Sequence, residues 1–210
     1  MTAIANGIFA YGALRPFVAT FLNFIGYAAG ATRLSAISGF GIIFVATHDS
    51  IGLGEDGPTH QPIEMLTMLR AMPRMRVFRP ADGNEVSAAY YLALKDAHYP
   101  AVLALSRQNL PHLDSRLDKA VRGGYQVFDS AEMGATGKPD LLIVSTGSEV
   151  SIAIDGAKQL SEKGKRTIVV SLLSWEVFLE QDRSYRCVFL QNYFWFSAYV
   201  CILPFTAGNK

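Results

Sequence analysis

Two short runs without a polar face, residues 41–46 (GIIFVA) and 101–105 (AVLAL), limit this chain more than any other feature. A strand buried on both faces reads as an unbroken apolar run, whereas a strand with one wet face alternates. Residues 16–21 and 75–78 can form two further strands. Between the four lie stretches with helical spacing: the alanine-rich residues 23–37, a helix entered through residues 58–62 (PTHQP), and a helix from Asp82 to about Ala97. Asp82 followed by Glu85 predicts a capping box at the start of that last helix. Strand and helix in alternation argue for a parallel α/β sheet with right-handed crossovers. In such sheets ligands collect at the carboxyl ends of the strands. Two polar loops leave those ends, residues 47–60 and residues 106–109.

Residues 110–138 are polar, contain Gly123, Gly124, Gly134 and Gly137, and read as an irregular linker. A second α/β unit follows: strand 141–144, turn 145–148, helix from Glu149 to about Lys163, and strand 167–171. A unit this small buries too little sheet to be complete, so it is expected to be truncated. Residues 1–13 read as the middle of a helix begun upstream, without a basic segment or cleavage site typical of a signal peptide. Residues 187–205 carry no charge and are dense in aromatics, approaching the ~20 residues that span a bilayer. Gln191, Asn192 and Pro204 weaken that reading, and a foreign extension is favoured over a membrane anchor.

Charge narrows the partners. Nineteen basic and 18 acidic residues leave a net charge of +1, with no block of either sign. Nothing in that pattern suits nucleic acid or an anionic membrane. The two cysteines, Cys187 and Cys201, both fall in the tail, so the rest of the chain holds neither a disulfide framework nor a cysteine metal site.

The chemistry concentrates in residues 47–62, THDSIGLGEDGPTHQP. Two histidines and three carboxylates share a loop made compact by glycines. Histidine exchanges protons near neutral pH and can serve a sugar hydroxyl or carbonyl. His48, Asp49, Asp56 and His60 could instead hold a metal, but their spacing matches no familiar zinc or iron pattern. A loop that merely caps the sheet is the remaining alternative.

That run closely resembles the transketolase family. So do residues 20–30 (TFLNFIGYAAG), 79–86 (RPADGNEV), 106–111 (SRQNLP) and 145–150 (STGSEV), and the resemblance extends over residues 1 to about 186. It implies a thiamine-diphosphate-binding pyrimidine domain at 1–115 without its N-terminal part. A linker at 116–139 would follow, then the start of an α/β C-terminal domain at 140–186 and a non-matching tail at 187–210. The implied activity is transfer of a two-carbon ketol unit between sugar phosphates in the pentose phosphate pathway. It would use thiamine diphosphate and Mg²⁺ or another divalent cation, in a homodimer. The cytoplasm is the expected location, with a plastid or other organelle left open.

By the same resemblance, Phe21, Phe24 and Tyr27 face the cofactor's aminopyrimidine ring, a use suited to aromatic faces. His60 is the catalytic group, acting with Asp56 at the sugar's carbonyl and adjoining hydroxyl. His48 and Arg107 hold the substrate phosphate, which the guanidinium fork fits well. Arg79 is expected to be structural. The family's ring-contacting glutamate would lie just before Met1, and the diphosphate and metal ligands in a further domain, so residues 1–210 are expected to be inactive alone. A dihydroxyacetone synthase shares the chemistry. A non-catalytic partner of an intact transketolase is the alternative from another class.

Overall fold

The computed structural model describes residues 1–134 and 136–191. Four parallel strands, β1 (Phe17–Phe21), β2 (Ile43–Thr47), β3 (Arg76–Phe78) and β4 (Ala101–Ala104), form the first sheet in the order β1-β2-β4-β3. The expected parallel α/β architecture is therefore present. Helices α1 (Thr2–Tyr11), α2 (Ala29–Ser38), α3 (Met65–Arg70) and α4 (Gly83–Lys95) pack around it.

β2 and β4 sit in the middle of the sheet, and β4 is buried at every position. Their alternating side chains feed two separate cores. Phe44, Ala46, Val102 and Ala104 face one, with Leu22, Met65 and Leu69. Ile43, Ala101 and Leu103 face the other, with Ala88, Ala89 and Leu92 of α4. This is why neither strand shows the polar alternation of a half-wet strand.

Residues 116–139 are not the irregular linker expected from the sequence. They carry α5 (Leu117–Ala120), β5 (Tyr125–Asp129) and a 3-10 turn over Ser130–Met133. β5 joins β6 (Leu141–Ser145) and β7 (Thr167–Ser171) in a second sheet ordered β5-β7-β6, with β6 and β7 parallel and β5 antiparallel to β7. Helix α6 (Glu149–Glu162) connects β6 to β7, and α7 (Trp175–Glu180) and α8 (Arg183–Gln191) follow. The second unit is thus larger than a strand-helix-strand. Residues 192–210 of the aromatic tail lie outside the described residues, and among those described no helix is long and apolar enough to cross a membrane.

Two further local expectations are revised. The stretch 23–37 is not one α-helix: residues Leu22–Ala28 wind as a 3-10 helix before α2 begins. The capping box at α4 is half made. Asp82 accepts from the backbone N–H of Glu85 at 3.0 Å, but the Glu85 carboxylate turns inward and accepts from Ala81 N–H at 2.8 Å. It is fully buried there, and the hydroxyls of Tyr125 (2.9 Å) and Ser171 (2.6 Å) donate to it from the second sheet. Burial favours the neutral acid and raises the Glu85 carboxyl above its ordinary range, against the pull of these three donors.

Candidate functional site

β1 and β2 run parallel with Phe21 opposite Thr47, so both strands end at the same level. The chain then turns in two different ways. After Phe21 it enters the 3-10 helix, whose three residues per turn bring positions three apart into register. Phe21, Phe24 and Tyr27 have that spacing, and their rings form a row with centroids 5.7 and 6.0 Å apart. An α-helix would rotate each ring away from the last by about 60°. The 3-10 turn is therefore what aligns them. Phe24 and Tyr27 border an apolar-lined cavity of about 260 Å³ between the 3-10 helix and β1, and Tyr27 is 91% exposed beside it.

After Thr47 the backbone bends sharply at His48, a non-glycine residue at φ +61°. The bend lays its imidazole on the Phe21 ring, 3.6 Å between centroids and 19° between planes. The second histidine arrives from the far end of the same loop. His60 N–H donates to Gly57 O at 3.0 Å, and Asn23 Nδ2 donates to the Thr59 carbonyl at 2.7 Å, tying this turn to the aromatic row. The His60 ring meets Phe24 edge-on at 5.0 Å. Each imidazole bonds through Nδ1 to the hydroxyl of the threonine before it, Thr47 at 3.0 Å and Thr59 at 2.9 Å. Nε2 of each ring has no partner among the described residues, which leaves it available to an oxygen atom of a ligand.

The loop is pinned at its base as well. Asp49 N–H donates to Leu105 O at 3.2 Å, and Gly52 approaches the Gln108 side chain so closely that a Cβ there would sit 2.8 Å from its amide. Residues 47–60 and 106–109 thus meet at one rim, as the sequence suggests. Asp56 and Arg107 lie on those two loops but are exposed, and their side chains make no hydrogen bond or ion pair among the described residues. The structure gathers Phe21, Phe24, Tyr27, His48 and His60 into one cluster and leaves Asp56 and Arg107 outside it.

Sequence reasoning considered Asp49 only as a possible metal ligand and assigned Arg79 only a structural role. Arg79 donates through Nε to Asp49 at 2.7 Å, and both side chains are almost fully buried. Burial alone would lower the Arg79 guanidinium, but its hydrogen bonds and charge contacts with Glu149 and Asp49 hold it above its ordinary value. Breaking a buried pair by removing one partner costs about 3–5 kcal/mol. A non-glycine residue in the left-handed region costs roughly 1–3 kcal/mol. Leaving either charge of the pair unpaired would therefore cost more than the left-handed backbone at His48.

A flat heteroaromatic ring fits the row of aromatic faces and the apolar cavity beside it, and the two imidazoles suit a polyhydroxylated ligand. Residues 1–112 match the pyrimidine-binding domain of transketolase, and residues 123–200 match the transketolase-like C-terminal domain. The chain is 58% identical over 188 residues to the transketolase of Kluyveromyces lactis, covering 89% of this chain and 27% of that protein. It therefore spans about a quarter of the length of the curated relatives it matches. A crystal structure of Pichia stipitis transketolase with sedoheptulose-7-phosphate superimposes with a TM-score of 0.85 at 54% identity, covering 90% of this chain and 28% of that one. A split-gene transketolase, an inactive β4 tetramer, matches with a TM-score of 0.61 at 28% identity over 82% of this chain and 53% of that one.

Proposed function

The chain belongs to the transketolase family, and from that premise we propose that its aromatic and imidazole cluster is the pyrimidine and sugar side of a site for two-carbon ketol transfer between sugar phosphates. The observation that carries this reading is the pair of imidazole–aromatic contacts at one rim, His48 stacked on Phe21 and His60 edge-on to Phe24. When bound, thiamine diphosphate supplies the carbanion chemistry that cleaves and forms the carbon–carbon bond. Phe21, Phe24 and Tyr27 take the flat face of its pyrimidine ring. His60 Nε2 holds or moves a proton at the sugar's carbonyl or neighbouring hydroxyl, and Asp56 accepts from that hydroxyl. His48 and Arg107 receive the phosphate, which neutralises its charge and sets the register of the sugar. Neither the diphosphate nor its divalent cation is assigned to the described residues; by the family resemblance their ligands lie in a further domain.

Replacing the corresponding segment of Kluyveromyces lactis transketolase by residues 1–186 tests the reading. Turnover of xylulose 5-phosphate with ribose 5-phosphate should persist in that chimera. A folded, cofactor-loaded chimera without turnover would refute it. The split-gene neighbour favours one second reading, in which the chain assembles without being active. A defined oligomer of residues 1–210 that neither binds thiamine diphosphate nor turns over sugar would select that reading.

A further inference from the structure

We propose that Arg79 is a positioning residue through which the second unit's turn, residues 146–149, holds His48 in its bent conformation against Phe21. The inference rests on the proposed function only for the role of His48; the coupling itself rests on the geometry. Arg79 is gripped from the second unit by both backbone and side chain. Its N–H donates to Leu173 O at 2.9 Å, and its carbonyl accepts from Gly147 N–H at 3.0 Å and Thr146 Oγ1 at 3.3 Å. Its Nη1 donates to Thr146 O at 2.9 Å and also to Glu149, and its Nη2 donates to Glu149 Oε1 at 3.0 Å.

Gly147 makes room for this. It has φ +58°, and a Cβ there would stand 2.7 Å from Arg79 Cγ. A side chain at that position would displace the guanidinium from the turn. The remaining donor, Nε, points the other way, to Asp49 Oδ2. Asp49 Oδ1 has no hydrogen-bond partner among the described residues, so Arg79 is the carboxylate's one cationic anchor there.

His48 is thus held from both sides. Before it, Thr47 is fixed in β2; after it, Asp49 is fixed by Arg79 and by the Leu105 carbonyl. A carboxylate that loses its buried cation moves toward water. That movement releases the strained φ of His48 and draws its ring off Phe21. A salt bridge that served only to stabilise the junction would lower the melting temperature and leave His48 where it is.

The measurement is solution NMR of histidine-labelled residues 1–210. The ring protons of His48 carry an upfield displacement from the Phe21 ring beneath them. Arg79→Ala should abolish that displacement. Arg79→Lys, which keeps the charge but cannot reach Asp49 and the turn together, should reduce it by about half. Glu149→Gln should shift His48 while His60 stays in place. If Arg79→Ala does not fold, the other two variants decide. His48 resonances at the wild-type position in folded Arg79→Lys and Glu149→Gln would overturn the proposal. Titration of the wild-type chain with ribose 5-phosphate is read separately. An unresponsive His48 with the coupling intact would count against its phosphate role and leave the positioning role standing.

Discussion

The His48 imidazole lies on the Phe21 ring, 3.6 Å between centroids, because β1 and β2 end at the same level and the backbone bends at the next residue. Phe21 therefore both supports a histidine and heads the aromatic row. Phe21→Leu should keep the strand but remove both functions. An aromatic contact contributes about 0.5–1.5 kcal/mol beyond burial, so thiamine binding should weaken roughly threefold to tenfold. Titration calorimetry of the wild-type and variant chimera checks it, and equal affinities would show that the row does not meet the ring.

His60 and Arg107 should fail in different ways. In the active chimera, His60→Ala should lower kcat/KM by ~10²-fold or more, the scale of a general acid–base group. Arg107→Ala should mainly raise KM for phosphorylated sugars, since it removes binding to a group that does not react. Steady-state kinetics with phosphorylated and unphosphorylated acceptors separate the two. An Arg107→Ala effect equal on both substrates would remove its phosphate role.

Buried Glu85 gives stability an alkaline slope. Burial raises its carboxyl pKa in the folded chain, so between the ordinary glutamate value and the raised one the folded state binds more protons than the unfolded. Stability from this group is complete below the ordinary value and is lost as pH rises through the raised one. Glu85→Gln should flatten that loss. The amide can turn its oxygen to Ala81 N–H and its NH₂ to the hydroxyls of Tyr125 and Ser171, which rotate to accept. Urea denaturation from pH 4 to 8 reads the slope; an unchanged slope in the variant would rule the effect out.

Asp82 works in the opposite sense. Burial alone would raise its carboxyl, but donors from Ser115, Glu85 and Leu113 outweigh that and hold it low. Its contribution is present above the ordinary aspartate value and lost as pH falls through the lowered one. Asp82→Ala removes the cap of α4, about 1 kcal/mol, and leaves partly buried N–H groups at Leu113 and Ser115 unpaired. A total near 2–3 kcal/mol is expected, with a flatter acid limb once the urea series is extended below the ordinary aspartate value.

The strands at 41–46 and 101–105 were legible because each is apolar on both faces, a property local to the run. β5 was not. Its five residues, Tyr125 to Asp129, sit among polar residues and glycines, and their partner strand is Thr167–Ser171, about 40 residues on. Phe21, Phe24 and Tyr27 were legible as a set from the family resemblance, but their alignment depends on a 3-10 hydrogen-bond pattern that composition does not encode. The partners of Arg79 lie 30 and 70 residues away in the chain, which no local reading of its motif supplies.

One hydrophobic cluster unites Ile43, Phe78 and Leu103 of the first sheet with Tyr125, Leu173 and Val177 of the second unit. The boundary between the two units, by this measure, is a feature of the chain and not of the energetics. Neither side can lose its structure without exposing the other's apolar surface, so melting should be a single event with matching calorimetric and van't Hoff enthalpies. A protease nick at the exposed residues Pro111 and His112 would cut the polypeptide but leave the halves bound to each other, and they would melt together.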